Sequence, residues 1–254
     1  MMKKAMASDF DNTLYFMFLD EPYRKGDREA IRKGDREAIR AFQQAGGLFG
    51  VSTGRSLRGV RQAARGDVRF DFYILATGAL VLDGNLQVLM KKTVSRDCVE
   101  EIYDRYGRRA DTVIQANDTV YTLTPPKFPG QTRIMSFADL AGSDIYGISF
   151  YAGSDEAAQS IARDIQQEYG TTLTAYANTS VVDVVGSDCS KGTGLAAVKE
   201  KLAIHTMGAI GDSYNDTPML KAADISFTFS YAPEQVQQAA GHIVSSVREA
   251  LSYL

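Results

Sequence analysis

Short apolar runs of strand length alternate with amphipathic, helix-length segments at both ends of the chain, and the rhythm breaks in the middle. Strands are expected at Lys3–Ser8, Leu48–Ser52 and Phe72–Ala76, with helices over about Arg28–Ala45 and Leu57–Arg65 between them. The last third repeats the order: helix Gly192–Leu202, strand Met207–Ile210, helix Asn215–Ala222, strand Ile225–Phe229 and helical segments toward Leu254. Such alternation predicts a parallel sheet, because each crossover lays a helix on a sheet face. From about Asp83 to Val185 the pattern changes. A helix (Arg96–Arg108) is followed by strands Thr112–Ala116 and Thr119–Leu123 and a loop with Pro125, Pro126, Pro129 and Gly130. Strand Tyr146–Tyr151, helix Glu156–Tyr169 and strands Thr172–Tyr176 and Val181–Val185 come next. The expected architecture is an α/β core of residues 1–82 and 186–254, interrupted by an α+β module at 83–185.

Composition narrows the function. A chain of 254 residues with 44% hydrophobic residues and six prolines is long and apolar enough to bury a sizeable core. A net charge of -3 offers no basic face for nucleic acid. Arg55, Arg58, Arg61, Arg65 and Arg69 form the densest basic patch, and the plain reading of it is a solvated helix face. No apolar run approaches the ~18–20 residues of a membrane span, and Lys3-Lys4 leads into a strand rather than a leader segment. No membrane association, a cytoplasmic location and a monomer or weak homo-oligomer are expected. Cys98 and Cys189 lack metal or disulfide spacing, and the histidines, His205 and His242, fall near element boundaries. Zinc and Ser-His-Asp chemistry are poorly served.

The acidic motifs carry the chemistry. The first strand runs into SDFDNT, which places Asp9 and Asp11 two residues apart at the carboxyl edge of the sheet, where α/β sites form. Strand alternation would point both carboxylates the same way. Directly after strand Met207–Ile210 comes GDSYNDTPML, with Asp212 at the strand end and Asp216 one helical turn later. Carboxylates converging from both places repel unless a cation lies between them, and oxygen ligands without His or Cys select Mg²⁺. Thr53 in STGR can hold phosphate oxygens at a strand-to-helix turn, and Lys191 in SKGTGL can supply a point charge. Taken singly, each motif is also an ordinary turn or helix cap.

In this order the motifs DFDNT (Asp9–Thr13), STGR (Ser52–Arg55), SKGTGL (Ser190–Leu195) and GDSYNDTPML (Gly211–Leu220) resemble those of haloacid dehalogenase superfamily phosphatases of the Cof-type, type IIB subgroup. The resemblance implies a Rossmann-like parallel-sheet core with an inserted α+β cap of the C2 type. It implies that Asp9 attacks phosphorus to form an aspartyl-phosphate, while Asp11 exchanges a proton with the leaving oxygen and then with water. Mg²⁺ would be held by Asp9, Asp11 through its backbone carbonyl, and Asp212, with Asp216 orienting that shell. Asn12, Thr13, Thr53, Gly54, Lys191 and Asn215 would surround the phosphoryl group. The implied substrate is a small phosphorylated metabolite, foremost a sugar phosphate. Asn12 stands where the family usually has glycine, and Thr77 where it has asparagine; asparagine tolerates a left-handed backbone, so the loop at residue 12 is expected to survive. Cap candidates for the leaving group are Tyr121, Lys127, Arg133, Tyr146 and Tyr176. A phosphosugar mutase and a receiver-like phospho-switch are the rival readings; the early paired aspartates and the long insertion favour an enzyme.

One feature stands outside this pattern. RKGDREAI occurs twice in tandem, at 24–31 and 32–39. Without one copy the sequence is an ordinary helix entry, so the second reads as an insertion that either lengthens the helix or bulges as a loop. Because the segment from Leu14 to Arg24 follows the first acidic loop, it is expected to border the cleft, where the extra copy is either a tolerated duplication or a change to closure or substrate range.

Overall fold

The computed structural model describes residues 2–16, 31–108, 110–127 and 130–254. The chain runs through β1 (Lys4–Asp9), α1 (Lys33–Gln44), β2 (Leu48–Ser52), α2 (Leu57–Ala64), β3 (Phe72–Leu75), β4 (Leu80–Asp83), β5 (Val88–Lys91) and α3 (Arg96–Ile102). It continues with β6 (Thr112–Ala116), β7 (Thr119–Thr122), β8 (Gln131–Arg133), β9 (Ile145–Tyr151), α4 (Asp155–Tyr169), β10 (Leu173–Asn178) and β11 (Val181–Gly186). It ends with α5 (Lys191–Lys201), β12 (Thr206–Ile210), α6 (Thr217–Ala222), β13 (Ile225–Thr228), α7 (Glu234–Ala239), β14 (His242–Ile243) and α8 (Val247–Leu251).

The first sheet has the order β14-β13-β12-β1-β2-β3-β4-β5, parallel from β14 through β3 and antiparallel for β4 and β5. Its inner strands β1, β2, β3 and β12 are buried on both faces, and alternate residues serve opposite cores. Met6, Phe49, Val51, Tyr73 and Leu75 pack with Ile39 of α1, Val60 of α2 and Val247 of α8. Ala5, Ala7, Phe72, Ile74, Met207 and Ala209 pack with Leu195 of α5, Met219 of α6 and Val236 of α7. Crossovers on both faces explain the apolar strands that the sequence shows.

A second sheet, β10-β11-β9-β6-β7-β8, is antiparallel except for β7 against β8. One face carries Ile114, Ile148, Phe150, Val182 and Val184 against Val99 and Ile102 of α3 and Ala158, Ala162 and Ile165 of α4. The other face turns toward the first sheet and is more polar. Strand β5, which falls within the residues expected to form the inserted module, pairs with β4 and so extends the first sheet instead. Alternating apolar residues do not say which sheet a hairpin will extend.

Helix α1 begins later than expected. Ile31 bridges Tyr15, and Arg32 has φ -56° and ψ 136°, which is not helical, so the helix starts at Lys33, inside the second octapeptide copy. Residues 17–30, with most of the first copy and most of the segment expected to border the cleft, lie outside the described residues. The two isoleucines that end the copies, Ile31 and Ile39, are both buried. Among the described residues, no helix is long and apolar enough to cross a membrane.

Candidate active site

The carboxyl ends of β1 and β12 lie side by side, in register from Lys4 with Thr206 to Ser8 with Ile210. That pairing is what brings two distant acidic motifs to one place. Carboxylate oxygens of Asp9, Asp212 and Asp216 fall within 4.8 Å of one another, and all three residues are buried. Lys191, 1% exposed at the start of α5, donates to Asp9 Oδ1 at 2.5 Å, to Asp216 Oδ1 at 2.6 Å and to Asn215 Oδ1 at 3.4 Å. Three anions against one cation leave a deficit that a divalent cation fits, and the donors are hard oxygens.

Burial, then the charge of Asp216, push the Asp9 carboxyl well above the ordinary range, with Lys191 pulling the other way. The same two causes raise Asp212 to about 6, against the hydrogen bond from Thr13. Burial opposes the charge on Lys191, but Asp216 and Asp9 outweigh it and hold the ammonium above its ordinary value.

Asp216 and Asp212 are held by one turn. Asp216 Oδ2 accepts from the backbone N–H of Asp212 at 3.0 Å and of Ser213 at 2.9 Å, so Asp216 shapes the turn that presents Asp212. A side chain on Gly211 would stand 2.4 Å from Asp216 Cγ, which is why that turn needs glycine. Gly192 makes room in the same way. A Cβ there would come 2.4 Å from the Pro218 carbonyl oxygen, and its absence lets α5 approach α6 and carry Lys191 inward.

Several predicted residues sit where expected but make different contacts. Thr53 and Gly54 line the cleft, and Thr53 Oγ1 accepts from Arg55 N at 3.2 Å. Asn12 adopts φ 61°, the left-handed backbone anticipated for it, and lines the cleft. Thr13 is buried and donates its hydroxyl to Asp212 Oδ1, so it holds that carboxylate rather than lining the cleft. Asn215 is also buried and lies beside Lys191, with its Nδ2 unpartnered.

Asp11 departs from the expected parallel orientation with Asp9. Strand β1 ends at Asp9, and Leu14 N and Tyr15 N donate to the Phe10 carbonyl, so a turn breaks the period of two. The Asp11 carboxylate lines the cleft outside the group of three, gripped by Arg55 through Nε at 2.7 Å and Nη2 at 2.6 Å. The Arg55 guanidinium lies 5.4 Å from the ring centres of both Phe10 and Tyr15.

The second sheet covers these groups across a cleft of about 750 Å³. Its contributors include Val113 and Gln115 of β6, Val120 of β7, Ser149 of β9, Asn178 of β10 and Asp183 of β11. Gln115 donates Nε2 to the Gly54 carbonyl at 2.5 Å, and its Oε1 is buried without a partner. Asp183 is buried and accepts from Ser149 Oγ at 2.6 Å and Asn178 Nδ2 at 3.4 Å; burial raises its pKa and the Ser149 hydrogen bond opposes the rise. Ser213 Oγ donates to Asn178 Oδ1 at 3.1 Å, a second tie between the sheets.

None of the five cap candidates named from sequence lines this cleft. Tyr121 packs against the second sheet's core, Arg133 is exposed, and Lys127 pairs with Asp111 at 2.5 Å. Tyr146 is buried against the first core, and Tyr176 donates to the Cys189 carbonyl at 2.7 Å. The signal that finds the wall is phase: Gln115, Ser149 and Asp183 are the polar residues between inward apolar neighbours on their strands.

The model of the haloacid dehalogenase-like hydrolase family matches residues 6–250. The chain belongs to that family. It is 24% identical over 247 residues to a 5-amino-6-(5-phospho-D-ribitylamino)uracil phosphatase of Bacillus subtilis, covering 96% of this chain and 90% of that one. A haloacid dehalogenase-like hydrolase from B. subtilis superposes with TM-score 0.81 at 20% identity, with 99% of each chain covered. The subclass IIB sugar phosphatase BT4131 gives TM-score 0.74 at 18% identity over 98% of each chain. The fold is therefore a parallel-sheet haloacid dehalogenase core with a cap.

Proposed function

We propose that the protein is a Mg²⁺-dependent phosphatase that hydrolyses a small phosphorylated metabolite, in the first place a sugar or sugar-alcohol phosphate. The observation that carries the reading is the buried group of Asp9, Asp212 and Asp216, with Lys191 bonded to two of them, at the floor of a cleft. Its B. subtilis relative is named for a phosphorylated ribityl compound, and the subclass IIB neighbour for a sugar phosphate. The cap wall of Gln115, Ser149, Asn178 and Asp183 offers hydrogen-bonding groups that hydroxyls can match.

Asp9 and Asp212 would hold the cation, joined by the Asp11 backbone carbonyl as the family resemblance implies. The cation supplies charge neutralisation for the phosphoryl oxygens. Asp9 attacks phosphorus as the bond to the leaving oxygen breaks, and Asp11 gives that oxygen a proton. Water then attacks the aspartyl-phosphate, Asp11 takes its proton, and phosphate leaves with Asp9 restored. Lys191 and the Thr53–Gly54 turn hold the transferred group, which is catalysis by positioning and electrostatics. Arg55 positions Asp11 between the two proton transfers.

Phosphate release from sugar phosphates, nucleotides and pyridoxal phosphate, with Mg²⁺ or with EDTA, tests the reading. Release that needs the metal and falls at least ~10³-fold in Asp9→Asn is expected. Metal-independent release, or an Asp9→Asn form that retains activity, would overturn it.

A further inference from the structure

Four arginines of the patch, Arg58, Arg61, Arg65 and Arg69, are exposed as a solvated face requires, but Arg58 and Arg65 also line the cleft. Helix α2 turns Leu57, Val60 and Ala64 into the core and leaves Arg58, Gly59, Gln62 and Ala63 to line the cleft, with Arg55 just before its N-cap and Arg65 at its left-handed C-cap. Arg55 is engaged by Asp11, Arg69 lies 3.6 Å from Asp71, and Arg61 stands off the cleft. Arg58 and Arg65 remain. Neither forms an ion pair with a described residue, and Asp67, the acid nearest Arg65 in sequence, is taken by Arg36 at 3.7 Å. The acidic residues of the cleft are Asp9, Asp11, Asp183 and Asp212, and each already has a partner at the floor or on the cap. Opposite the outer helix the cleft is lined by Val113, Val120, Gly130 and Gln131, which bear no charge.

We propose that Arg58 and Arg65 form a distal anion subsite, so that the substrate carries a second anionic group, a phosphate or a carboxylate, at the end away from the scissile phosphate. The proposal rests on the phosphatase reading above and deepens it. Arg58 lies in the first turn of α2 and Arg65 at its C-cap, so the helix sets their backbones ~10 Å apart, at increasing distance from the phosphate turn at Gly54. A guanidinium fork matches phosphate and carboxylate oxygens in pairs, and the two exposed side chains can meet such a group at the mouth of the cleft. Gln62, between them on the same side, adds an uncharged hydrogen-bonding group.

Calorimetry on Asp9→Asn protein in Mg²⁺ tests the idea without turnover. The probes are a pentose bisphosphate, a phosphorylated pentonate and the matching pentose monophosphate. At least one of the first two is expected to bind about ten-fold or more tightly than the monophosphate, and which one leads identifies the anion. That ratio should shrink in about 0.5 M salt and fall to roughly two-fold when Arg58→Gln and Arg65→Gln are added, whereas Arg61→Gln preserves it. Equal binding of all three probes, or a preference that survives the double substitution, overturns the proposal. If the preference holds while native protein releases no phosphate, only the phosphatase reading fails; if phosphate is released without preference, only the distal subsite fails.

Discussion

On the core side of the cleft, the polar groups stand at element ends: Asp9 as the last residue of β1, Thr53 after β2, Lys191 as the first residue of α5, Asp212 after β12. On the cap side, Gln115, Ser149 and Asp183 stand within strands, between residues that serve the cap's own core. Residues at element ends can converge from several elements into a charged cluster; residues within strands are spaced by the pleat and make a wall. A reaction centre needs the first arrangement and a recognition surface can use the second.

Substitutions should separate the two sides by what they change. Lys191→Met removes the cation between Asp9 and Asp216, and a loss of about 3–5 kcal/mol in stability is expected. Phosphate release should fall with every leaving group, and a loss confined to some substrates would break the comparison. Gly192→Ala presses a methyl on the Pro218 carbonyl, and denaturant melts should show about 2–3 kcal/mol lost because the obstacle is backbone. Asp183→Asn keeps an acceptor for Ser149 but drops the charge. It should lower kcat/KM by about ten-fold, unequally across leaving groups, with most of the change in KM. A uniform change in kcat would move Asp183 to the chemical side.

The smaller effects concern the cluster at rest. Asp212 has its pKa raised to about 6 from 3.8, so the folded protein binds more protons than the unfolded chain between those values, and this group's contribution to stability falls as pH rises through that window. In EDTA, native protein should therefore gain about 2 kcal/mol on going from pH 7 to pH 4.5 relative to Asp212→Asn, and added Mg²⁺ should reverse the advantage. Thr77 is a β-branched residue at φ 54°, and Thr77→Asn should stabilise by about 1 kcal/mol in thermal melts.

The core motifs are legible because their spacing is local: DFDNT, STGR, SKGTGL and GDSYNDTPML each place a side chain at an element end, and the element ends can be read from apolar runs. The same motifs find Thr13 and Asn215 but assign them to phosphate, since nothing in the sequence shows that the Thr13 hydroxyl meets Asp212 across 199 residues. The cap wall is marked only by strand phase, which sets Gln115, Ser149 and Asp183 opposite the face that their apolar neighbours bury.

By itself the sequence determined the alternation of elements, hence the parallel sheet, and the residue types at its carboxyl edge, hence hard-cation and phosphoryl chemistry. Tertiary structure decided that β4 and β5 extend the first sheet, that Asp11 turns to Arg55, and that Arg58 and Arg65 face a cleft while Arg61 does not. The reason is range: periodicity records which face of an element is buried, but what stands opposite the other face depends on contacts between segments far apart in the chain.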